Sequence, residues 1–206
     1  MDDEFWLNKW TTNEIGFHEP EPHPCLVAHW DKLALPRNSI VFVPLCGKSN
    51  DMRWLVDQGY RVVAVELSDL ACRAYFEENA IDFEVVEHGP FNIYESKECK
   101  IYQGDVFRLQ SNHLAGVAAI YDRAALIALD PASRQRYSEL LDQLTPNAKS
   151  LTITVHYDET ILTPPPFIVP DDEVRQRHIA RSLEFLGETE TQVKGEPATE
   201  HSFLIR

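Results

Sequence analysis

The sequence has few basic residues, no long apolar run and no closely spaced cysteine pair. Its 19 Lys and Arg are outnumbered by 33 Asp and Glu, and the resulting net charge of −14 argues against nucleic acid and against an anionic membrane surface as partners. No apolar segment reaches the about 20 residues that cross a bilayer. The first residues, MDDEFW, are acidic, whereas a signal peptide would begin with basic residues. We therefore expect a cytoplasmic protein.

Cysteine usage points the same way. The nearest two of the four cysteines, Cys25 and Cys46, are 21 residues apart. No C-x-x-C pair is present, so neither a zinc ribbon nor a thioredoxin-type site is indicated. The eight histidines form no H-E-x-x-H motif and show no other spacing typical of metal ligands. We expect free thiols in a reducing compartment and no metal.

Glycine is also scarce, and this decides how the stretch VFVPLCGKSNDMRWL at 41–55 is interpreted. The stretch has the pattern of a strand, a turn and a helix, with GKS at the turn. A P-loop requires G-x-x-x-x-G-K-[ST], and Phe42 stands where its first glycine belongs. Gly47 is the only glycine from residue 17 to residue 58, so the G-x-G-x-x-G pattern of dinucleotide-binding proteins is missing as well.

Apolar runs of strand length alternate with amphipathic stretches along the chain. The predicted strands are 39–44, 61–66, 82–87, 99–103, 116–121 and 149–156. Helices are predicted at 49–58, at 68–79 with Ser68 as N-cap, and from Asp130 to about Pro146, with Asp130 as N-cap and Pro131 in the first turn. This alternation predicts an α/β fold with a parallel sheet and right-handed crossovers. We expect one domain over 1–206, with 1–35 as a helical cover and 36–206 as the core.

Polar residues follow several of these strands, at the edge where open α/β folds bind ligands. Gly47 follows the first strand. Glu66 ends the second strand, 20 residues after Cys46, which is the spacing at which an acid binds ribose hydroxyls. Ribose recognition without a phosphate loop suggests a nucleoside cofactor that lacks phosphate, such as S-adenosylmethionine. Asp105 follows 99–103, where it could accept a hydrogen bond from an adenine amino group.

Asp122 and Arg123 follow the strand at 116–121, and an apolar stretch follows them. Asp122 either caps that stretch or serves the site. Arg123 indicates a function, because the helix dipole disfavours a cation in the first turn. Near the N-terminus, Trp6 and Trp10 lie on one helical face, and Phe17 follows after a turn. These rings either cover a core or close over a sulfonium ion, which aromatic faces attract.

Taken together, FWLNKW…IGFH, FVPLCGKSNDMRWL…GYRVVAVELS, GDVFRL and YDRAALIALDPASRQRY resemble the thiopurine S-methyltransferase family. The resemblance runs from about residue 5 to about residue 178, through YDETILTPPPFIVPDDEV. It implies an S-adenosylmethionine-dependent methyltransferase with a Rossmann-like, seven-stranded, mostly parallel sheet. Helices would cover both faces of this sheet, and its last strand would be antiparallel.

The resemblance also implies roles for individual residues. Trp6, Trp10 and Phe17 would close the site, Leu45 and Gly47 would contact the methionine part of the cofactor, Glu66 the ribose, and Asp105 and Val106 the adenine; Asp122 and Arg123 would lie at the acceptor. The acceptor would be a small thiol or another chalcogen species, methylated by direct in-line transfer, and the protein a monomer. The tail departs from the family pattern, because it offers only Lys194 as a basic residue near the substrate.

Two other functions stay open at this point. A nicotinamide-dependent oxidoreductase would explain the spacing of Glu66 but not the missing glycines. A non-catalytic relative that kept the fold and the cofactor pocket would explain the divergent tail.

Overall fold

The computed structural model describes residues 3–206, which form a nine-stranded sheet with helices packed against it. The helices α1 to α6 are Asp3–Thr11, Pro24–His29, Asn50–Asp57, Asp69–Glu78, Pro131–Leu144 and Asp171–Arg177. The strands β1 to β9 are Ile40–Val43, Arg61–Glu66, Glu84–His88, Phe91–Glu95, Cys99–Gln103, Val117–Arg123, Lys149–Tyr157, Leu183–Val193 and Glu196–Ile205. Within 3–206, no helix is long and apolar enough to cross a membrane.

The strand order is β3-β4-β5-β2-β1-β6-β7-β9-β8. The five strands from β5 to β7 pair in parallel, and the last strand, β9, lies antiparallel between β7 and β8. The seven strands from β5 to β8 therefore confirm the predicted mostly parallel sheet with an antiparallel last strand. The β3–β4 hairpin adds two strands beyond the predicted seven, antiparallel to β5 at its junction. Every side chain of β3 is exposed, so this hairpin leaves little hydrophobic pattern in the sequence.

The predicted helix starts are confirmed by their capping hydrogen bonds. Ser49 accepts from the N–H of Asp51 at the start of α3, and Ser68 accepts from the N–H of Ala71 at the start of α4. Asp130 accepts from the first N–H groups of α5, which has proline at its first position. Each cap satisfies donors that have no partner inside the helix.

The core explains why β1 and β2 are nearly continuous in apolar residues. Val41, Phe42 and Val62 are at most 1% exposed, because helices cover both faces of the sheet at these strands. Trp30, in a 3-10 turn after α2, is also 1% exposed and packs its ring against those of Tyr60 and Tyr121. The segment from α2 to this turn is thus part of the packed core, whereas α1 has no buried side chain.

Candidate active site

A cleft of about 1250 Å³ follows the edge of the sheet where the parallel strands end. One part of it, which we call the glycine end, lies beyond β1, β2 and β5 and is lined by Leu45, Gly47, Glu66, Asp105 and Val106. The other part, the hairpin end, lies beyond β6 and β7 and is lined by Arg123, Ile153, Val155, 163–166, 191–195 and Glu200. The volume exceeds the about 300–1,000 Å³ of ordinary small-molecule pockets, so two molecules fit side by side.

Glu66 and Gly47 hold the glycine end together. Glu66 is 6% exposed; its Oε2 accepts from the N–H of Gly47 at 2.8 Å, and its Oε1 accepts from the N–H of Ser68 at 2.8 Å. Burial raises the pKa of this carboxyl, and the backbone N–H bonds oppose the rise. A carboxylate offers about four acceptor positions, so Glu66 can still accept hydrogen bonds from a ligand in the cleft.

Gly47 is required by its backbone angle and by its neighbour. Its φ is +54°, a left-handed conformation that favours glycine. A Cβ at this position would lie 3.0 Å from Cζ2 of Trp10. The tryptophan ring therefore lies directly over the bare backbone of this turn, and a ligand reaching the turn would meet both.

The aromatic residues of the N-terminal segment form a cover over the cleft. Trp6 and Trp10 project from α1, and each packs edge-on against Phe17, with ring centroids 5.9 and 5.6 Å apart. All three residues line the cleft. The structure thus brings Trp6, Trp10 and Phe17 to the same cavity as Leu45, Gly47 and Glu66, as the sequence predicts.

Asp105 and Val106 border the glycine end from the β5 side. Oδ1 of Asp105 accepts from the N–H of Phe107 at 2.9 Å and so begins the 3-10 turn Val106–Arg108. Both residues line the cleft. This arrangement fixes the direction of the carboxylate while its second oxygen keeps acceptor capacity.

Arg123 lies at the end of β6 and joins the sheet to the cover. Its Nη1 donates to the carbonyl oxygen of Phe17 at 2.9 Å, and its Nη2 lies 3.7 Å from Oε1 of Glu19. The side chain is 14% exposed and lines the cleft. A guanidinium has five donors, so these contacts leave others for a ligand.

The expectation that Asp122 lies beside the acceptor is not supported by the structure. Side chains alternate along a strand, so Asp122 points to the opposite face of the sheet from Tyr121 and Arg123, and it does not line the cleft. It is 4% exposed and accepts from the hydroxyl of Tyr137 at 2.6 Å and from the N–H of Leu126 at 3.0 Å. Asp122 therefore caps the turn after β6, the other interpretation of its position.

The sequence did not reveal a buried polar network behind the hairpin end. Asp51 accepts from the backbone N–H of His23 at 2.7 Å and from the hydroxyl of Tyr121 at 3.0 Å. Nε2 of His23 lies 2.9 Å from Oε2 of Glu200, which lines the cleft. Burial alone would lower the pKa of His23, but its hydrogen bonds to Cys25 and Glu200 raise it to about 9. The histidine and Glu200 thus form a buried ion pair.

The hairpin end takes its remaining wall from the tail and from the proline-rich loop. Lys194, at the tip of the β8–β9 hairpin, donates through Nζ to the carbonyl oxygen of Thr163 at 2.7 Å. This bond joins the hairpin to the loop that carries Pro164–Pro166. The proline content at 163–170 indicated a loop beside a site, but nothing in the tail sequence indicated that Glu200 would face the cleft.

Comparison with known proteins agrees with this geometry. The model of the thiopurine S-methyltransferase family matches residues 1–199. A thiopurine S-methyltransferase of Pseudomonas entomophila is 48% identical over 176 residues, covering 85% of this chain and 82% of that protein. A probable thiopurine S-methyltransferase of Yarrowia lipolytica is 43% identical over 178 residues, covering 85% of this chain and 84% of that protein.

Solved structures share the fold at low sequence identity. A 1,6-didemethyltoxoflavin-N1-methyltransferase of Burkholderia thailandensis, solved with S-adenosylhomocysteine, superposes with a TM-score of 0.66 at 14% identity, covering 98% of this chain and 86% of that one. An S-adenosylmethionine-dependent methyltransferase of Anabaena variabilis gives 0.63 at 12% identity, covering 99% and 95%. The oxidoreductase alternative is wrong, because the chain belongs to the thiopurine S-methyltransferase family of S-adenosylmethionine-dependent methyltransferases.

Proposed function

We propose that this enzyme methylates aromatic and heterocyclic thiols, of which thiopurines are one kind, and that selenium or tellurium species of similar softness are further acceptors. One observation carries the proposal. A single cation at the end of β6, Arg123, stands in the hairpin end beside the apolar side chains of Ile153 and Val155 and the prolines Pro164–Pro166. Such a site suits a flat, apolar ring that bears one anionic atom.

The glycine end would hold the cofactor. Glu66 would accept hydrogen bonds from the ribose hydroxyls, because only part of its acceptor capacity is used by backbone N–H groups. The left-handed turn at Leu45 and Gly47 would let the methionine part approach the backbone closely, and Asp105 with Val106 would border the adenine. The rings of the cover would attract the sulfonium and exclude water.

S-adenosylmethionine supplies an electrophilic methyl group on a positively charged sulfur. As the acceptor sulfur forms its new bond to the methyl carbon, the electron pair of the breaking bond passes to the cofactor sulfur, so no oxidant or reductant is needed. Arg123 would favour the acceptor as thiolate, because a neighbouring cation lowers the pKa of an acid. Alignment of the two reactants can supply about 7–11 kcal/mol, so the main task of the protein would be positioning.

The N-terminal segment would act as the closing element of this site. The bond between Arg123 and the carbonyl oxygen of Phe17 supports this role, because it joins the cover to the strand that borders the acceptor. We propose that residues 1–35 belong to the same domain as the core, with α1 and the following turn as the mobile part. A cytoplasmic location is supported by the four buried, unpaired cysteines.

The acceptor class is tested with the purified chain, S-adenosylmethionine labelled on its methyl carbon, and a panel of acceptors. The panel contains 6-mercaptopurine, thiophenol, an alkyl thiol such as butanethiol, and selenite reduced in place with excess thiol. We expect the aromatic thiols to be methylated fastest, since they are thiolates near neutral pH. A chain that binds S-adenosylhomocysteine but labels no acceptor of the panel would be a non-catalytic relative, and a preference for the alkyl thiol would overturn the proposed acceptor class.

A further inference from the structure

Two histidines and an aspartate converge on the face of the sheet opposite the cleft. His156 lies on β7, His201 on β9, and Asp171 opens α6. Their neighbours Val155 and Glu200 line the cleft, and His156, His201 and Asp171 do not. Because side chains alternate along a strand, the two imidazoles lie behind the wall of the hairpin end. Their positions are 15 and 30 residues apart along the chain, so no sequence spacing could have announced them.

The distances suit a metal ion with nitrogen and oxygen ligands. Oδ1 of Asp171 lies 2.8 Å from Nδ1 of His201 and 3.4 Å from Nε2 of His156, and the three ligand atoms lie within 4.8 Å of one another. Ligand atoms about 2.0–2.1 Å from a tetrahedral zinc lie about 3.3–3.4 Å from each other. The His156–Asp171 pair already has this separation, and the His201–Asp171 pair would widen by about half an ångström.

Two further features single out this cluster. Nε2 of His156 is shielded from solvent and has no hydrogen-bond partner among residues 3–206, so its lone pair is available. On the other side of the second imidazole, Nε2 of His201 lies 3.8 Å from Oε1 of Glu188. Metal-binding histidines commonly direct their second ring nitrogen to a carboxylate, which fixes the ring and its tautomer.

The cluster of His23, Cys25 and Glu200 is the other group of potential ligands in the described part of the chain, and it is less suitable. Both ring nitrogens of His23 already have partners, the N–H of Cys25 at 3.3 Å and the carboxylate of Glu200 at 2.9 Å. This imidazole also holds its proton strongly, since its pKa is raised to about 9, and a metal binds only the deprotonated nitrogen.

We propose that His156, Asp171 and His201 form a binding site for a divalent transition-metal ion, with zinc as the expected occupant, water in the fourth position and Glu188 orienting His201. Two imidazoles with one carboxylate favour zinc and its neighbours over magnesium and calcium, which take oxygen ligands. The proposal is independent of the acceptor class, because it shares no residue with the cleft.

A metal at this site would have a structural effect on the hairpin end. Asp171 is the first residue after the loop 158–170, which carries Pro164–Pro166 of the cleft wall. The ion would tie the end of this loop to β7 and β9, the strands that carry Val155 and Glu200. Because a ligand that binds only the folded state stabilises it, we expect metal binding to raise the melting temperature and to protect this loop from proteolysis.

The test uses the full chain after removal of metals, titrated with ZnCl₂ in a calorimeter and with CoCl₂ in an absorption spectrometer. We expect one zinc per chain and visible d–d bands of a tetrahedral cobalt site without thiolate charge-transfer bands. His201→Gln and Asp171→Asn should weaken zinc binding by more than about 100-fold, and the exposed outer variant Glu188→Gln by about 10–100-fold.

Two control variants separate this site from others. His88→Gln removes an exposed histidine of β3, and Cys25→Ser removes a ligand of the other cluster; neither should change zinc affinity. Far-UV circular dichroism shows whether each variant is folded, and Glu188→Gln, at a side chain 60% exposed, keeps the test decisive if a ligand variant unfolds. Zinc bound equally by wild type and Glu188→Gln, binding abolished by Cys25→Ser, or no binding at all would each overturn the proposal.

Discussion

Nη1 of Arg123 donates a hydrogen bond to the carbonyl oxygen of Phe17 across 2.9 Å, and this bond joins the end of β6 to the aromatic cover. The same guanidinium lines the hairpin end of the cleft. One residue is therefore placed both to hold the cover closed and to face the acceptor. Closing of the cover and binding of an anionic acceptor are linked through this side chain.

Arg123→Ala should lower kcat/KM for an aryl thiol by about 10²–10³-fold, the usual effect of removing one donor from a developing or bound anion. The activity of the variant should also rise at higher pH than that of the wild type, because the neighbouring cation no longer favours the thiolate. Steady-state rates from pH 5 to pH 9 measure both effects.

Arg123→Lys is the matched control for that variant. It keeps the charge but not the planar set of donors, so the pH dependence should return toward wild type while the rate recovers only in part. Unchanged turnover of Arg123→Ala on a thiol acceptor would remove the role assigned to this residue.

Glu66→Gln should weaken S-adenosylhomocysteine binding by about 1.5–3 kcal/mol, which is about 10- to 150-fold in Kd. The amide has one acceptor oxygen for the N–H groups of Gly47 and Ser68, so less capacity remains for a ribose. Calorimetric titration measures the change, and Glu87→Gln on the exposed strand β3 serves as control. Equal dissociation constants for wild type and Glu66→Gln would show that the carboxylate does not contact the cofactor.

Gly47→Ala should damage the cofactor site beyond its cost in stability. The new Cβ would adopt a φ of +54° and lie 3.0 Å from the ring of Trp10. Gly89→Ala is a matched control, because its φ is +59° and nothing lies within 4 Å of the added Cβ. Each variant should lose about 1–2 kcal/mol from the left-handed backbone.

Only Gly47→Ala should also change tryptophan fluorescence and weaken S-adenosylhomocysteine binding. Denaturant unfolding and a fluorescence titration measure the two effects separately. If both glycine variants bound the cofactor like wild type, the contact between the turn and Trp10 would have no part in the site.

Glu173→Gln should destabilise the protein at neutral pH and change its response to acid. The carboxylate accepts from Nε and Nη2 of Arg134, each at 2.9 Å, and Arg134 is 3% exposed. Burial would raise the pKa of Glu173, but its bonds to Arg134 and Arg177 lower it further than burial raises it. A depressed carboxyl pKa contributes stability above the unfolded value, 4.5, and this contribution is lost as pH falls through the folded pKa.

The unfolding free energy of wild type should therefore fall steeply below about pH 4.5, while that of Glu173→Gln starts about 3 kcal/mol lower at pH 7 and falls less. Urea titrations at pH 7, 5, 4 and 3 measure both curves. Parallel curves for the two proteins would contradict the assigned ion pair.

How far the sequence predicted the site follows from how each signal is encoded. Gly47 and Glu66 lie in a short stretch of chain, where strand ends and glycine positions are readable, and the structure brings them to one end of the cleft. Asp122 lies beside Arg123 in sequence but on the other face of the sheet, because the strand runs through both residues where the sequence suggested that it ended at 121. Parity within a strand decided this case, and parity depends on the true strand end.

Long-range pairing hid the rest. Glu200 reaches the cleft because β9 inserts beside β7, and the tail sequence gives no register for that pairing. The hairpin of β3 and β4 escaped for a different reason, since a strand with five exposed residues has no hydrophobic period to read. The histidines 156 and 201 are neighbours only through the β7–β9 ladder, so an expectation of no metal, based on spacing along the chain, could not include them.

The central claim, that this cleft transfers a methyl group to sulfur, is tested most directly by one competition experiment. The full chain is incubated with methyl-labelled S-adenosylmethionine and equal amounts of 4-nitrothiophenol and 4-nitrophenol, and the labelled products are separated. We predict that the label appears on sulfur, because the thiol is the softer nucleophile. Label on oxygen, or bound cofactor without product, would contradict the account.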